Sequence, residues 1–226
     1  FAVLLLCAAV MLPLAACVKK PGGSENSSGT SSSESTTVTP TKDKDTSIVA
    51  TDKSRKGPAV QDLMKGITKG KGVSKKPDSR FENAAASFAL DLFRDEYKSG
   101  RKTLVSPLSV FTALAMTQNG AEDRTLSEMQ KTLGGLDRDV LNAYMNAYLA
   151  ELTGKDSALK CANSLWIDSR LDVKTSFLQK NADFYSAQAY KADFTRKNTV
   201  NEINSWVNKN TNGMIKKLVD EFDPLT

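Results

Sequence analysis

Aromatic residues divide this sequence into two unequal parts, and that division limits where a fold can form. After Phe1 the next aromatic is Phe81, and fifteen of the sixteen Phe, Tyr and Trp residues lie in the last 146 positions. Aromatic side chains supply much of the buried area of a core, so a core is expected only from about residue 80 onward. Charge divides at the same place. Residues 1–80 carry 13 Lys and Arg against 7 Asp and Glu, whereas residues 81–226 carry 18 against 19. The net charge of +5 therefore belongs to the leading segment. A nucleic-acid-binding face needs its positive charge on a structured surface, with aromatic residues between the charges. This pattern argues against nucleic acid as a partner.

The chain has no histidine. That removes the usual general base of a Ser or Cys protease and the commonest zinc ligand. Three cysteines, at 7, 17 and 161, are too few and too scattered for a disulfide framework or a Cys-rich metal site. No enzyme activity, cofactor or metal is expected. Asp137 with Asp139, and Asp220 with Glu221 and Asp223, fall in polar connections near helix ends. They read as solvated helix-terminus charge rather than as acid–base pairs.

Residues 1–16 read FAVLLLCAAVMLPLAA, an apolar run too short to cross a bilayer as a helix. It has the character of the apolar core of an export signal whose positive start lies upstream. Leu14-Ala15-Ala16-Cys17 resembles the lipobox of bacterial lipoproteins, which implies a diacylglyceryl group on Cys17 and a domain held outside a bacterial membrane. An ordinary Ala-x-Ala-like cleavage site beside an incidental cysteine is the alternative. Residues 17–79 then form a tether. About half of residues 21–47 are Ser or Thr, a composition that buries too little apolar surface to offset its ordering entropy. Val60, Leu63, Met64 and Ile67 recur at i, i+3, i+4 and i+7, which predicts a short amphipathic helix over 60–67, docked on the domain or resting on lipid. Gly66, Gly70, Lys71 and Gly72 lack the spacing, the Ser/Thr and the preceding strand of a phosphate loop.

From residue 80 the apolar periodicity is helical. Phe81, Ala85, Phe88, Leu92 and Phe93 form a first stripe, and Thr103-Leu104-Val105 reads as a short buried strand. Ser106-Pro107 predicts a helix start, with Ser as N-cap and Pro at the first helical position. Two further helical stripes end at Gly134-Gly135 and near Gly154. Leu159 to Ile167 alternates with period two, uncharged on both faces after Lys160, which predicts a strand covered on both sides. A short helix at Val173–Leu178, a strand at Ala189–Phe194 and a helix through Val200, Ile203, Trp206 and Val207 follow. Helices followed by strands without regular alternation indicate an α+β class.

Three ordered blocks resemble the serpin family. Val105-Ser106-Pro107-Leu108-Ser109-Val110, followed by Asn119-Gly120-Ala121, is similar to the turn that opens the second serpin helix. Ala162-Asn163-Ser164-Leu165-Trp166-Ile167 is similar to the second strand of the main sheet. Ile203-Asn204-Ser205-Trp206-Val207 with Thr211-Asn212-Gly213-Met214-Ile215 is similar to the helix that crosses that sheet. Two departures stand out. Lys102 replaces the Asn that many members place four residues before the Ser-Pro, and Glu122-Asp123-Arg124 occupies a stretch where the family usually has a glycine.

The resemblance implies a serpin-like α+β fold over residues 80–226, with N-terminal helices packed on the first strands of a large mixed sheet. It also implies that the chain stops before the third strand of that sheet, so that the reactive-centre loop lies downstream. The implied function is a monomeric, membrane-tethered suicide inhibitor of serine proteases, and of papain-like cysteine proteases as a further option. A serpin fold used only for binding, or an unrelated surface substrate-binding lipoprotein, is the alternative. The site residues implied are Ser106, Pro107, Ser109, Asn163 and Trp206, as supports of the shutter where the sheet parts, together with Cys17 for the lipid. The expected role of Ser106 is to cap its helix, and that of Trp206 is to pack the overlying helix on the sheet.

Overall fold

The computed structural model describes residues 57–155, 157 and 159–222, and the backbone of residues 4–10. Cys17, the whole Ser/Thr-rich stretch of residues 21–47 and Asp223 lie outside the described residues. Residues 4–10 and 58–222 belong to one compact unit.

Among the described residues ten elements follow in chain order: β1 (Leu4–Val10), β2 (Val60–Asp62), α1 (Ser79–Glu96), α2 (Pro107–Gln118), α3 (Asp123–Thr132), α4 (Arg138–Leu152), β3 (Lys160–Asp168), α5 (Thr175–Tyr185), β4 (Gln188–Ala192) and α6 (Lys197–Asn210). The strands form one mixed sheet in the order β1-β3-β4-β2. β3 is parallel to both β1 and β4, whereas β2 runs antiparallel to β4. α5 is the crossover that a parallel β3–β4 pair requires.

Period-two alternation places the two faces of β3 in different cores. Leu165 and Ile167 join Phe81, Phe111, Ala115, Met116, Leu133, Leu141 and Tyr144 in the larger core, built under the sheet by α1, α2, α4, α5 and the turn after α3. Trp166 joins Ala192, Ile203, Trp206 and Val207 in the smaller core, where α6 covers the opposite face. The expected strand covered on both sides is present.

Local chemistry sets the helix ends. Asp78 caps α1, its carboxylate accepting from the Arg80 and Phe81 amides at 3.1 and 3.4 Å. Pro107 occupies the first position of α2, where a missing N–H leaves nothing unsatisfied. After α3, Gly134 takes φ +88°, and a Cβ there would lie 2.2 Å from Ala84 Cβ. Only glycine lets this turn lie against α1.

The structure corrects three expectations. Residues 60–67 are not a helix: Val60–Asp62 is a strand and a turn follows it. The edge of β4 offers backbone partners that an isolated eight-residue helix cannot match, and helices that short are marginal in water. The segment docks on the domain, with Leu63, Met64 and Ile67 packed against the larger core. The compact unit therefore includes residues 58–79 as well as 80–222, because backbone hydrogen bonds rather than aromatic side chains secure the added segment. Finally, Thr103–Val105 is not a strand, and Leu104 is 98% exposed. No strand pairs with it among the described residues, so nothing covers its side chain.

Within the apolar run read as an export signal, Leu4–Val10 is β1, paired with Lys160–Trp166. The backbone of this run pairs along one edge of β3.

Candidate functional site

The five implied support residues fall into three places. Ser106 and Ser109 form one pair at the start of α2, with their Oγ atoms 2.8 Å apart. Ser106 occupies the N-cap position, and its carbonyl accepts from the Val110 amide at 3.2 Å. Its hydroxyl makes no capping bond to the backbone, which corrects the expected capping role. Ser109 lies one helical turn away, on the same face, and offers a closer partner.

Asn163 is buried on the β3 face turned toward α5. Its Nδ2 donates to the Tyr185 carbonyl at 2.7 Å, while its Oδ1 has no partner among the described residues. Trp206 lies across the sheet, in the smaller core. Its Nε1 donates to Gln188 Oε1 at 2.5 Å, and Tyr190, which also donates to Gln188, stacks on Trp166 at a centroid distance of 4.5 Å. The expected packing of the overlying helix is present. The structure thus joins Ser106 with Ser109 and leaves Asn163 and Trp206 on opposite faces of the sheet.

A buried amide network runs beside Asn163, and sequence reasoning missed it. Tyr185 donates its hydroxyl to Asn142 Oδ1 at 2.6 Å, and Asn142 Nδ2 donates to Asn119 Oδ1 at 2.8 Å. Asn119 Nδ2 in turn donates to Asn181 Oδ1 at 3.2 Å, and Asn181 Nδ2 to the Phe177 carbonyl at 3.0 Å. Burial pushes the Tyr185 phenol well above its ordinary pKa, which keeps it a donor. The network connects the end of α2 with α4 and α5, and Tyr185 extends it to β3. A signal was available in the sequence, since Asn142 sits inside an apolar stripe between Leu141 and Tyr144.

The contacts of these groups are structural ones. The partner of Ser106 is another hydroxyl, not a base that would activate it. Asp137 caps α4 by accepting from the Asp139 amide at 2.9 Å, and Asp139 pairs with Lys180 at 3.1 Å. Lys217 and Asp220 form an ion pair. Among the described residues no group of three or more acidic or Cys side chains is placed to hold a metal. Cys161 is half-buried beside the larger core.

Residues 83–226 match the family model for serpins, described as serine protease inhibitors. The chain belongs to the serpin family. That membership removes the unrelated substrate-binding lipoprotein from consideration. A serpin-like protein of Thermococcus kodakarensis is 32% identical over 150 residues, covering 64% of this chain and 35% of that protein. Human neuroserpin is 30% identical over 154 residues, covering 64% and 38%. Among solved structures, the thermophilic serpin tengpin in its native state is similar at a TM-score of 0.66 and 36% identity, covering 74% of this chain and 44% of that one. The latent state of tengpin is similar at a TM-score of 0.62 and 38% identity, covering 67% and 42%. The chain thus spans about two fifths or less of the length of the curated serpins named here. Within the serpin fold, Asp123 takes φ +51°. This left-handed residue falls in the Glu122-Asp123-Arg124 stretch, and Asp is among the few side chains that enter this region.

Proposed function

We propose that this chain is the N-terminal part of a protease-inhibiting serpin, exported and anchored through a lipid on Cys17 to the outer face of a bacterial membrane. The observation that carries the inhibitor reading is the serpin match across residues 83–226, on a fold whose β3 and β4 lie between α6 and the helices beneath. The reactive loop belongs to the part of the serpin fold that this chain does not span. In this reading a serine protease attacks a peptide bond of that loop and forms an acyl-enzyme. The cleaved loop then enters the sheet as an added strand before water can release the acyl group.

The residues present here have a supporting role in that event. The sheet must part while α6 stays docked through Trp206 and the underside stays braced by α2 and α5. The hydroxyl pair Ser106–Ser109 and the orphan Asn163 Oδ1 are small polar groups that exchange partners at little steric cost. Support for the anchor is Leu14-Ala15-Ala16-Cys17 at the end of an apolar run; cleavage before Cys17 removes β1, so the mature sheet in this reading keeps β3, β4 and β2. The intact protein is a monomer in this reading, with the protease as its partner. The test is whether the intact protein forms a complex with a serine protease that survives SDS.

A further inference from the structure

Residues 58–77 lie along the domain as a strap, and none of them is fully buried. Their attachment runs mostly through the backbone. β2 pairs with β4 from Val60–Ala192 to Asp62–Tyr190, and the Leu63 amide extends the ladder to the Ala189 carbonyl at 2.9 Å. Leu63 and Ile67, four residues apart, are apolar anchors on the larger core. Beyond them the Thr68 carbonyl accepts from Gln179 at 2.8 Å, the Gly70 amide donates to Asp183 at 2.7 Å, and the Gly72 carbonyl accepts from Asn146 at 3.1 Å.

The glycines that fail as a phosphate loop have a steric reason. A Cβ on Gly70 would stand 3.1 Å from Asp183 Oδ1. A Cβ on Gly72 would stand 3.0 Å from the Phe184 ring and 3.2 Å from the Asp183 carbonyl. The strap crosses α5 so closely that a side chain at either position would push Asp183 or Phe184 aside by a few tenths of an ångström. A surface that pairs with backbone, takes aliphatic anchors at a fixed spacing and admits glycine at a close crossing has the attributes of a peptide site that works by strand addition.

We propose that residues 58–77 are a detachable peptide ligand held in cis, and that the β4 edge with α5 and α4 is a binding site for extended peptides of this chemistry. The matching ligand is a strand carrying two aliphatic anchors four residues apart, followed by Gly-x-Gly. Firm attachment resumes at Asp78, whose carboxylate accepts from the Tyr144 hydroxyl at 2.5 Å, so the strap opens without unfolding α1. This proposal does not depend on protease inhibition.

Two measurements on the intact protein test it. By hydrogen exchange, the amides of Leu63, Gly70 and Lys75, the last donating to the Ala143 carbonyl at 3.0 Å, should open together with at least tenfold less protection than the α4 amides. Exchange of both sets at one global rate would overturn the proposal. In the second measurement Gly72→Leu ejects the strap, and a fluorescein-labelled peptide of residues 58–77 is titrated by anisotropy. The variant should bind it saturably. The wild type should bind at least tenfold more weakly, because a tethered strap competes at an effective concentration on the order of millimolar. The same peptide carrying Gly72→Leu should not bind. Equal binding by wild type and variant, or no binding by a variant with the wild-type circular dichroism spectrum, would overturn it. If the variant fails to fold, the exchange measurement on the wild type decides alone.

Discussion

Ser106 Oγ and Ser109 Oγ stand 2.8 Å apart across the first turn of α2, each half-buried and each facing the other instead of the helix backbone. One bond shared by two hydroxyls makes their contributions non-additive. Ser106→Ala and Ser109→Ala should each cost about 1 kcal/mol, and the double variant should cost little more than either single. Denaturant melts of the three variants check this; a double-variant loss equal to the sum would mean that the hydroxyls act separately.

The turn after α3 offers a sharper contrast. Gly134 and Gly135 both have positive φ, but only Gly134 faces Ala84, and Gly135 has open space where a Cβ would be. Gly135→Ala should cost about 1–2 kcal/mol from backbone strain alone. Gly134→Ala adds an overpacking cost of about 1–3 kcal/mol, so its thermal midpoint should fall further. Equal midpoints for the two variants would contradict the close approach of this turn to α1.

Acid should weaken the start of α1. The Asp78 carboxyl is held well below the usual carboxylate range by hydrogen bonds from Arg80 and then from Tyr144. A depressed folded-state pKa gives stability that is present above the unfolded value, near 4, and is lost as pH falls toward the folded one. Asp168, lowered chiefly by Arg170, contributes with the same sign. Asp78→Asn retains a good cap residue but should flatten the fall of the thermal midpoint below about pH 4. Parallel curves for wild type and variant would remove Asp78 from this account.

Much of the helical order was legible because apolar stripes and stop signals agree. Pro107 opens α2, Asn119 caps its end, and Gly134 closes the α3 turn. β3 was legible because both faces of a central strand avoid charge. The strap was not, since Val60, Leu63, Met64 and Ile67 have helical spacing while strand and turn geometry satisfies the same residues. Leu104 misled in the opposite way: a β-prone triplet is a strand only when a neighbour supplies its hydrogen bonds. At the site, Ser106 and Ser109 were legible as residues but their mutual bond was not, and the Asn119–Asn142–Asn181 network depends on three helices converging, which no local pattern encodes.

The proposed anchor is tested by partitioning. The intact protein expressed in a bacterium should enter the detergent phase, and Cys17→Ser should move it to the aqueous phase or block its maturation. The stabilisation is about 0.8 kcal/mol per buried methylene, and two or more acyl chains hold where one is marginal. Unchanged partitioning of Cys17→Ser would remove the lipid from the proposal.

The central claim is that these helices and strands brace a sheet that traps a protease, and the direct measurement is to mix the intact protein with a panel of serine proteases and resolve the products in SDS. Loop insertion must outrun deacylation, so the expected result is a covalent band at the summed mass of inhibitor and protease. Cleavage of the protein without any such band, or no reaction with any protease of the panel, would contradict the inhibitor reading and leave a serpin fold that only binds.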